Sequence, residues 1–256
     1  MTEPSYLPTE SSRLLVLEGA TNVRDLGGFP TATGQTTRFK RFVRADSMHR
    51  LTDADVAILK EYGITLSIDL RTSGGRERDP SRLAKRDDMR YEAVDLMASF
   101  SSEPQQDIYA VLPDSLAEFY LRLLDEAQTE IASVFRLFLS NTQHATLYHC
   151  TAGKDRTGII SMLLLQLAGV SASDIIQSYA LSAFFIRSGN GGAINLSGFG
   201  SSSGVNAALF ESEPAWMETA MHHLATRYGT AADYLQHIGL EPQEIETVRN
   251  SLVADN

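Results

Sequence analysis

The sequence holds a single cysteine, Cys150, among 256 residues. One thiol excludes an intrachain disulfide, and a free thiol suits a reducing compartment. Long apolar runs are missing as well. No stretch approaches the ~18 apolar residues of a membrane-spanning helix, and the first 20 residues lack the apolar core of a signal peptide. These absences point to a cytoplasmic protein without stable membrane insertion; export by a route without a signal peptide stays open. Basic charge is also short. Lys and Arg number 22 against 32 Asp and Glu, a net charge of −10, which argues against a nucleic-acid partner. An anionic substrate is not forbidden, because a local basic pocket can sit in an acidic protein. Tryptophan occurs once, as Trp216.

What is present is ordinary for a globular chain: 43% hydrophobic and 21% charged residues. The length fits one large domain or two small ones; the chain is read as a single domain, 13–256, after a polar arm at 1–12. Arg41–Ala45, Ile64–Leu70, Arg90–Leu96 and Ala145–His149 read as strands. A capping box at Thr52–Asp55 and a stop at Gly63 bound one helix. From a second capping box at Ser115–Glu118, apolar residues recur at helical spacing, predicting one long helix that ends near Ser140. Gly158–Leu167 reads as a core helix, Ser171 caps the next, and three more follow from Pro214 with breaks at Gly229 and Gly239. Strands alternating with helices predict an α/β fold, a mostly parallel central sheet flanked by helices. Such sheets bind ligands at the carboxyl ends of their strands, and Cys150 stands at one such end.

The segment His149-Cys150-Thr151-Ala152-Gly153-Lys154-Asp155-Arg156-Thr157-Gly158 runs from a strand into a helix. A helix N-terminus presents amides without internal partners and a positive dipole end. With Gly153 and Gly158 allowing tight curvature, these groups make a phosphate cradle. The same field favours a thiolate, the form of cysteine that attacks phosphorus. Arg156 can bind two phosphoryl oxygens through its planar fork. Lys154 adds a second cation, Thr157 can hydrogen-bond the sulfur, and His149 orients the loop.

This loop resembles the signature of cysteine-dependent protein tyrosine and dual-specificity phosphatases. It is closest to a bacterial branch whose loop reads His-Cys-x-Ala-Gly-Lys-Asp-Arg-Thr-Gly, a branch that includes mycobacterial and listerial secreted phosphatases. That branch also carries Asn-x-Arg-Asp-Leu-Gly-Gly, here Asn22–Gly28, and Asp-Leu-Arg after a strand, here Asp69–Arg71. The resemblance implies a tyrosine phosphatase-like fold and hydrolysis through phosphocysteine, with Cys150 as nucleophile. It implies phosphate binding by Thr151, Ala152, Gly153, Lys154, Asp155, Arg156 and Thr157, and no metal or organic cofactor. Substrates are expected to be phosphotyrosine proteins, with dual-specificity action or phosphoinositides, suggested by Lys154, as alternatives.

The general acid is less plain. Most tyrosine phosphatases carry it in a Trp-Pro-Asp loop, but no Asp follows Trp216. Asp114, in Leu112-Pro113-Asp114, precedes a capping box and reads better as part of a helix start. Asp155 and Asp69 are the stronger candidates. Burial could raise the pKa of Asp69 enough to hold a proton; its bland reading is a salt bridge to Arg71, and that of Asp155 is a brace within the loop. Asp155 is preferred. Arg24, Arg44 and Arg71 could make a basic rim, although Arg24 beside Asp25 suggests plain ion pairing. Asn22–Gly28 reads as a turn packed near the site.

Residues 178–215 are read as a helical lid insertion, with Phe184 and Phe185 either over the site or in the core. The Gly/Ser-rich stretch 188–204 would be its hinge. Among other functions, arsenate reduction needs a resolving cysteine that this chain lacks. A non-catalytic phosphoprotein binder would not need both Cys150 and Arg156.

Overall fold

A computed structural model describes residues 12–100, 116–188 and 211–254. Five strands form one sheet: β1 (Arg24–Asp25), β2 (Phe42–Ala45), β3 (Ile64–Asp69), β4 (Arg90–Ala93) and β5 (Ala145–His149). Their spatial order is β1-β2-β5-β3-β4. β1 pairs antiparallel with β2, and every other pairing is parallel, as the alternation of strands and helices predicts. Successive side chains leave opposite faces of a strand, so the strands feed two cores. Phe42, Leu66, Ile68 and Tyr148 join the larger one, while Val43, Ile64, Ala145 and Leu147 join the other.

The helices cover both faces. α1 (Asp53–Tyr62) begins at the Thr52–Asp55 capping box and stops at left-handed Gly63, φ 100°, as expected. α2 (Ser73–Arg78) follows β3. The single long helix expected to end near Ser140 is two: α3 (Leu116–Glu126) and α4 (Gln128–Leu139), broken at Ala127, φ −90° and ψ 29°. The apolar spacing runs through the break because both helices face the same core. Periodicity reports which face is buried, not whether the hydrogen-bond ladder is continuous.

α5 (Asp155–Leu167) starts three residues before the expected Gly158. α6 (Ala172–Ser188) is one helix through the first part of the expected insertion, and Ser171 Oγ accepts from the Asp174 amide at its start. Residues 189–210 of that insertion lie outside the described residues, as do residues 1–11 and Leu112-Pro113-Asp114; 211–215 are described and lead into the next helix. α7 (Pro214–Arg227), α8 (Ala231–His237) and α9 (Pro242–Leu252) are the three expected tail helices. No helix among the described residues is long and apolar enough to cross a membrane.

Register decides what meets at the site. His149 at the end of β5 lies level with Ala45 of β2 and Asp69 of β3. Three parallel strands therefore stop at one edge, and Cys150 leaves the central one between Asp46-Ser47 and Leu70-Arg71.

Candidate active site

Cys150 opens a tight loop that enters α5 and is buried, 1% exposed. The loop is bound on every side. The Ser47 amide donates to Thr151 O at 3.0 Å, and the Leu70 amide donates to His149 O at 2.8 Å. Gly153 has φ +66°, and a Cβ there would lie 2.6 Å from Ala45 O. Only glycine fits that backbone and that approach. Gly158 plays another part than the expected curvature. It sits within α5, where a Cβ would lie 3.4 Å from the Tyr179 ring, an ordinary packing distance.

Arg156 folds back over the loop. Its Nη2 donates to Thr151 Oγ1 at 3.3 Å and its Nη1 to Leu70 O at 3.5 Å. Its Nε, and Thr157 Oγ1, are buried without a hydrogen-bond partner among the described residues. The expected bond from Thr157 to the sulfur is therefore not made. Lys154 is fully buried, and its Nζ donates to Glu211 O at 2.7 Å. That Nζ also lies 3.5 Å from Asp155 Oδ1 and 5.7 Å from the Trp216 ring. The loop's second cation is thus held by the last part of the expected insertion.

The two acid candidates differ sharply. Asp69 is fully buried, and Arg71 grips both of its oxygens, Nη2 at 2.6 Å from Oδ2 and Nε at 2.9 Å from Oδ1. Tyr91 donates to it as well, at 2.8 Å. Burial pushes its pKa up, but His149, Arg71 and Tyr91 outweigh that and hold the carboxyl below the usual carboxylate range. The expected rise does not occur; Asp69 is an anion fastened to Arg71. His149, 3.6 Å from Asp69 Oδ2, is wholly buried, and burial lowers its pKa to about 4. It is a neutral ring whose Nδ1 is 3.2 Å from Cys150 O, which fits an orienting role. Asp155, in the first turn of α5, accepts from the Tyr120 hydroxyl at 2.5 Å.

Several supports reach the loop from distant parts of the chain. Asn22 Nδ2 donates to Ala152 O at 3.0 Å and to Gly153 O at 3.2 Å. Asp46 holds the Thr21 and Asn22 amides, and burial raises its pKa to about 6. Arg44 Nη2 donates to Gly153 O at 2.7 Å, so this member of the expected rim braces the loop from behind. Arg24 turns to α6 and not to Asp25, donating to Ser178 O and to Ser182 Oγ. Phe185 is buried beneath the Arg24 guanidinium, while Phe184 is 38% exposed. Motif spacing signalled Asn22; nothing local signalled Tyr120 or Ser182.

A buried cysteine at the carboxyl edge of a parallel sheet, followed by a tight loop, a helix start and a returning arginine, defines a cysteine-dependent phosphatase. Residues 15–254 match the model of the tyrosine phosphatase family. A tyrosine-protein phosphatase of Nostoc commune is 36% identical over 81% of this chain and 72% of its own. A Cupriavidus necator protein, provisionally named a tyrosine-protein phosphatase, is 26% identical over 91% of this chain and 86% of its own. The triple specificity protein phosphatase PtpB of Mycobacterium tuberculosis is 30% identical over 64% of this chain and 67% of its own. The chain belongs to the tyrosine phosphatase family, and its activity is that of a protein tyrosine phosphatase acting on phosphate monoesters.

Proposed function

We propose that Cys150 is the nucleophile, that Arg156 and the amides of residues 151–156 bind the phosphoryl group, and that Asp155 is the general acid. The observation that carries this reading is the pair of buried polar groups in the loop, Arg156 Nε and Thr157 Oγ1, that have no hydrogen-bond partner among the described residues. Buried donors are nearly always satisfied, and a phosphoryl group held by the loop supplies acceptors where these two lack them. In the first step the Cys150 sulfur attacks phosphorus while Asp155 gives its proton to the departing oxygen, leaving phosphocysteine and a carboxylate. In the second, water attacks phosphorus, its proton passes to Asp155, and the sulfur leaves as thiolate. Asp69 positions Arg71 and takes no proton.

Phosphotyrosine proteins are the substrates in this reading. Phosphoserine, phosphothreonine and phosphoinositides extend the range, supported by the triple specificity in the name of the mycobacterial relative and by Lys154 once its ammonium leaves Glu211. Residues 13–256 act as one domain with 178–215 as its cover, and the lone thiol favours the cytoplasm.

The test pairs a poor leaving group, phenyl phosphate, with a good one, p-nitrophenyl phosphate. Asp155→Asn should lower turnover of phenyl phosphate by roughly 10²–10⁴-fold and that of p-nitrophenyl phosphate far less. Cys150→Ser should abolish both while phosphate still binds. Equal losses on the two esters in Asp155→Asn would remove the acid from this account.

A further inference from the structure

The carboxyl of Asp155 is not free to turn. It belongs to α5, and Tyr120 of α3 donates to its Oδ1 at 2.5 Å. The Tyr120 oxygen lies 2.6 Å from the hydroxyl of Tyr179 on α6. A carboxylate only accepts hydrogen bonds, so the direction of the chain is fixed: Tyr179 donates to Tyr120, and Tyr120 donates to Asp155. Both tyrosines are buried, 0% and 1% exposed. Their rings meet edge to face, with centroids 5.9 Å apart at 88°. The Tyr179 ring packs against α5 beside Gly158. Burial raises the pKa of both phenols well above the usual tyrosine range, so both remain donors. The charged groups facing the trio are Lys154 from the loop, Arg44 from β2 and Glu213 before α7.

Tyr120 and Lys154 both address Oδ1. Oδ2 has no hydrogen bond among the described residues and is the oxygen left to carry the proton. We propose that Tyr120, backed by Tyr179, is the positioning residue of the acid: its phenol pins Asp155 Oδ1 so that Oδ2 serves the leaving oxygen. The inference rests on the reading of Asp155 as the acid. When Oδ2 gives its proton to the leaving oxygen, the new carboxylate is met by the Tyr120 hydroxyl already in place. When water attacks phosphocysteine, its proton returns to Oδ2 and the phenols keep theirs. The arrangement also ties the acid to α6.

The experiment compares Tyr120→Phe, Tyr179→Phe, Asp155→Asn and the Tyr120→Phe/Asp155→Asn double variant in the full chain, on phenyl and p-nitrophenyl phosphate across pH. Tyr120→Phe should lower kcat for phenyl phosphate by about 10- to 100-fold, the worth of one hydrogen bond to a charged group. It should change turnover of p-nitrophenyl phosphate little, leave KM nearly unchanged, and move the alkaline limb of the pH profile upward. Tyr179→Phe should do the same to a smaller extent, and it carries the test should Tyr120→Phe not fold. In the Asp155→Asn background, Tyr120→Phe should add no further loss. If Asp155→Asn shows no preference between the esters, the acid reading and this inference fall together. If Asp155→Asn discriminates but both tyrosine variants lose equally on the two esters, or neither shifts the limb, only this inference is overturned.

Discussion

Replacing Asn22 with alanine removes two hydrogen bonds that cross from the N-terminal turn to the phosphate loop. Asn22 is fully buried, and its amide donates to Ala152 O and Gly153 O. Gly153 O keeps Arg44 as a partner, whereas Ala152 O loses the donor it has. An orphaned buried acceptor costs about 1–3 kcal/mol. Asn22 Oδ1 is itself buried without a partner, so deleting it offsets part of that cost. The net falls at about 1–2 kcal/mol, which lowers the melting temperature of a chain this size by roughly 2–8 °C. The carbonyls released belong to the loop proposed to bind phosphate. A shift of a few tenths of an ångström there should lower kcat/KM by about 10- to 100-fold. Asn22→Asp is the sharper variant, because it sets an acceptor against two carbonyl oxygens. Thermal melts with and without phosphate, together with p-nitrophenyl phosphate kinetics, measure both effects. The reasoning fails if Asn22→Ala keeps its melting temperature and its kcat/KM, or if Asn22→Asp is no worse than Asn22→Ala.

Three further outcomes are expected. Gly153→Ala places a methyl 2.6 Å from Ala45 O at φ +66°. The left-handed backbone alone costs about 1–2 kcal/mol, and turnover should collapse because the obstacle is backbone and cannot swing aside; near-normal kinetics would refute this. Asp69→Asn leaves the Arg71 guanidinium, 2% exposed, without its counter-ion, and should cost about 3–5 kcal/mol in urea unfolding with equal losses on good and poor leaving groups. Asp46 has its folded pKa raised by burial to about 6 from an ordinary 3.8. A raised folded pKa contributes stability below the unfolded value that is lost as pH rises through the folded one. Asp46→Asn should therefore gain on the wild type by on the order of 3 kcal/mol between about pH 4 and pH 7, read by denaturant unfolding at both pH values. A difference that stays flat or runs the other way would contradict it. His149, whose folded pKa is lowered to about 4 from 6.5, contributes the opposite slope in that range, stability lost as pH falls; it is common to both proteins and cancels in the comparison.

The strands, the caps and the loop were legible because their causes are local. Thr52 with Asp55, and Gly63 in a left-handed turn, define a helix within a dozen residues. Gly153 likewise announces its positive φ by residue type. Four readings needed more than the chain's neighbourhood. Ala127 breaks a pattern whose periodicity runs on unbroken. Asp69 is buried as expected, yet Arg71, Tyr91 and His149 surround it and reverse the effect of burial. Lys154 finds Glu211 O, 57 positions away. Thr157 Oγ1 makes no bond to the sulfur it was expected to meet.

The sequence by itself determined the chemistry available: one thiol, one arginine six positions on, a glycine where the chain must turn left-handed, and a helix start to supply amides. All of these act within ten residues, and backbone sterics and helix ends fix their geometry. Only the tertiary structure decided how each of the two candidate carboxylates is held. Asp69 and Asp155 are the same residue type beside the same loop, but one is clamped by a guanidinium and the other meets a phenol 35 positions away. The contacts that hold the loop, from Asn22 and Arg44 to Gly153, span 131 and 109 positions. Packing a parallel sheet between two helical layers brings such groups together, and no local pattern encodes their meeting.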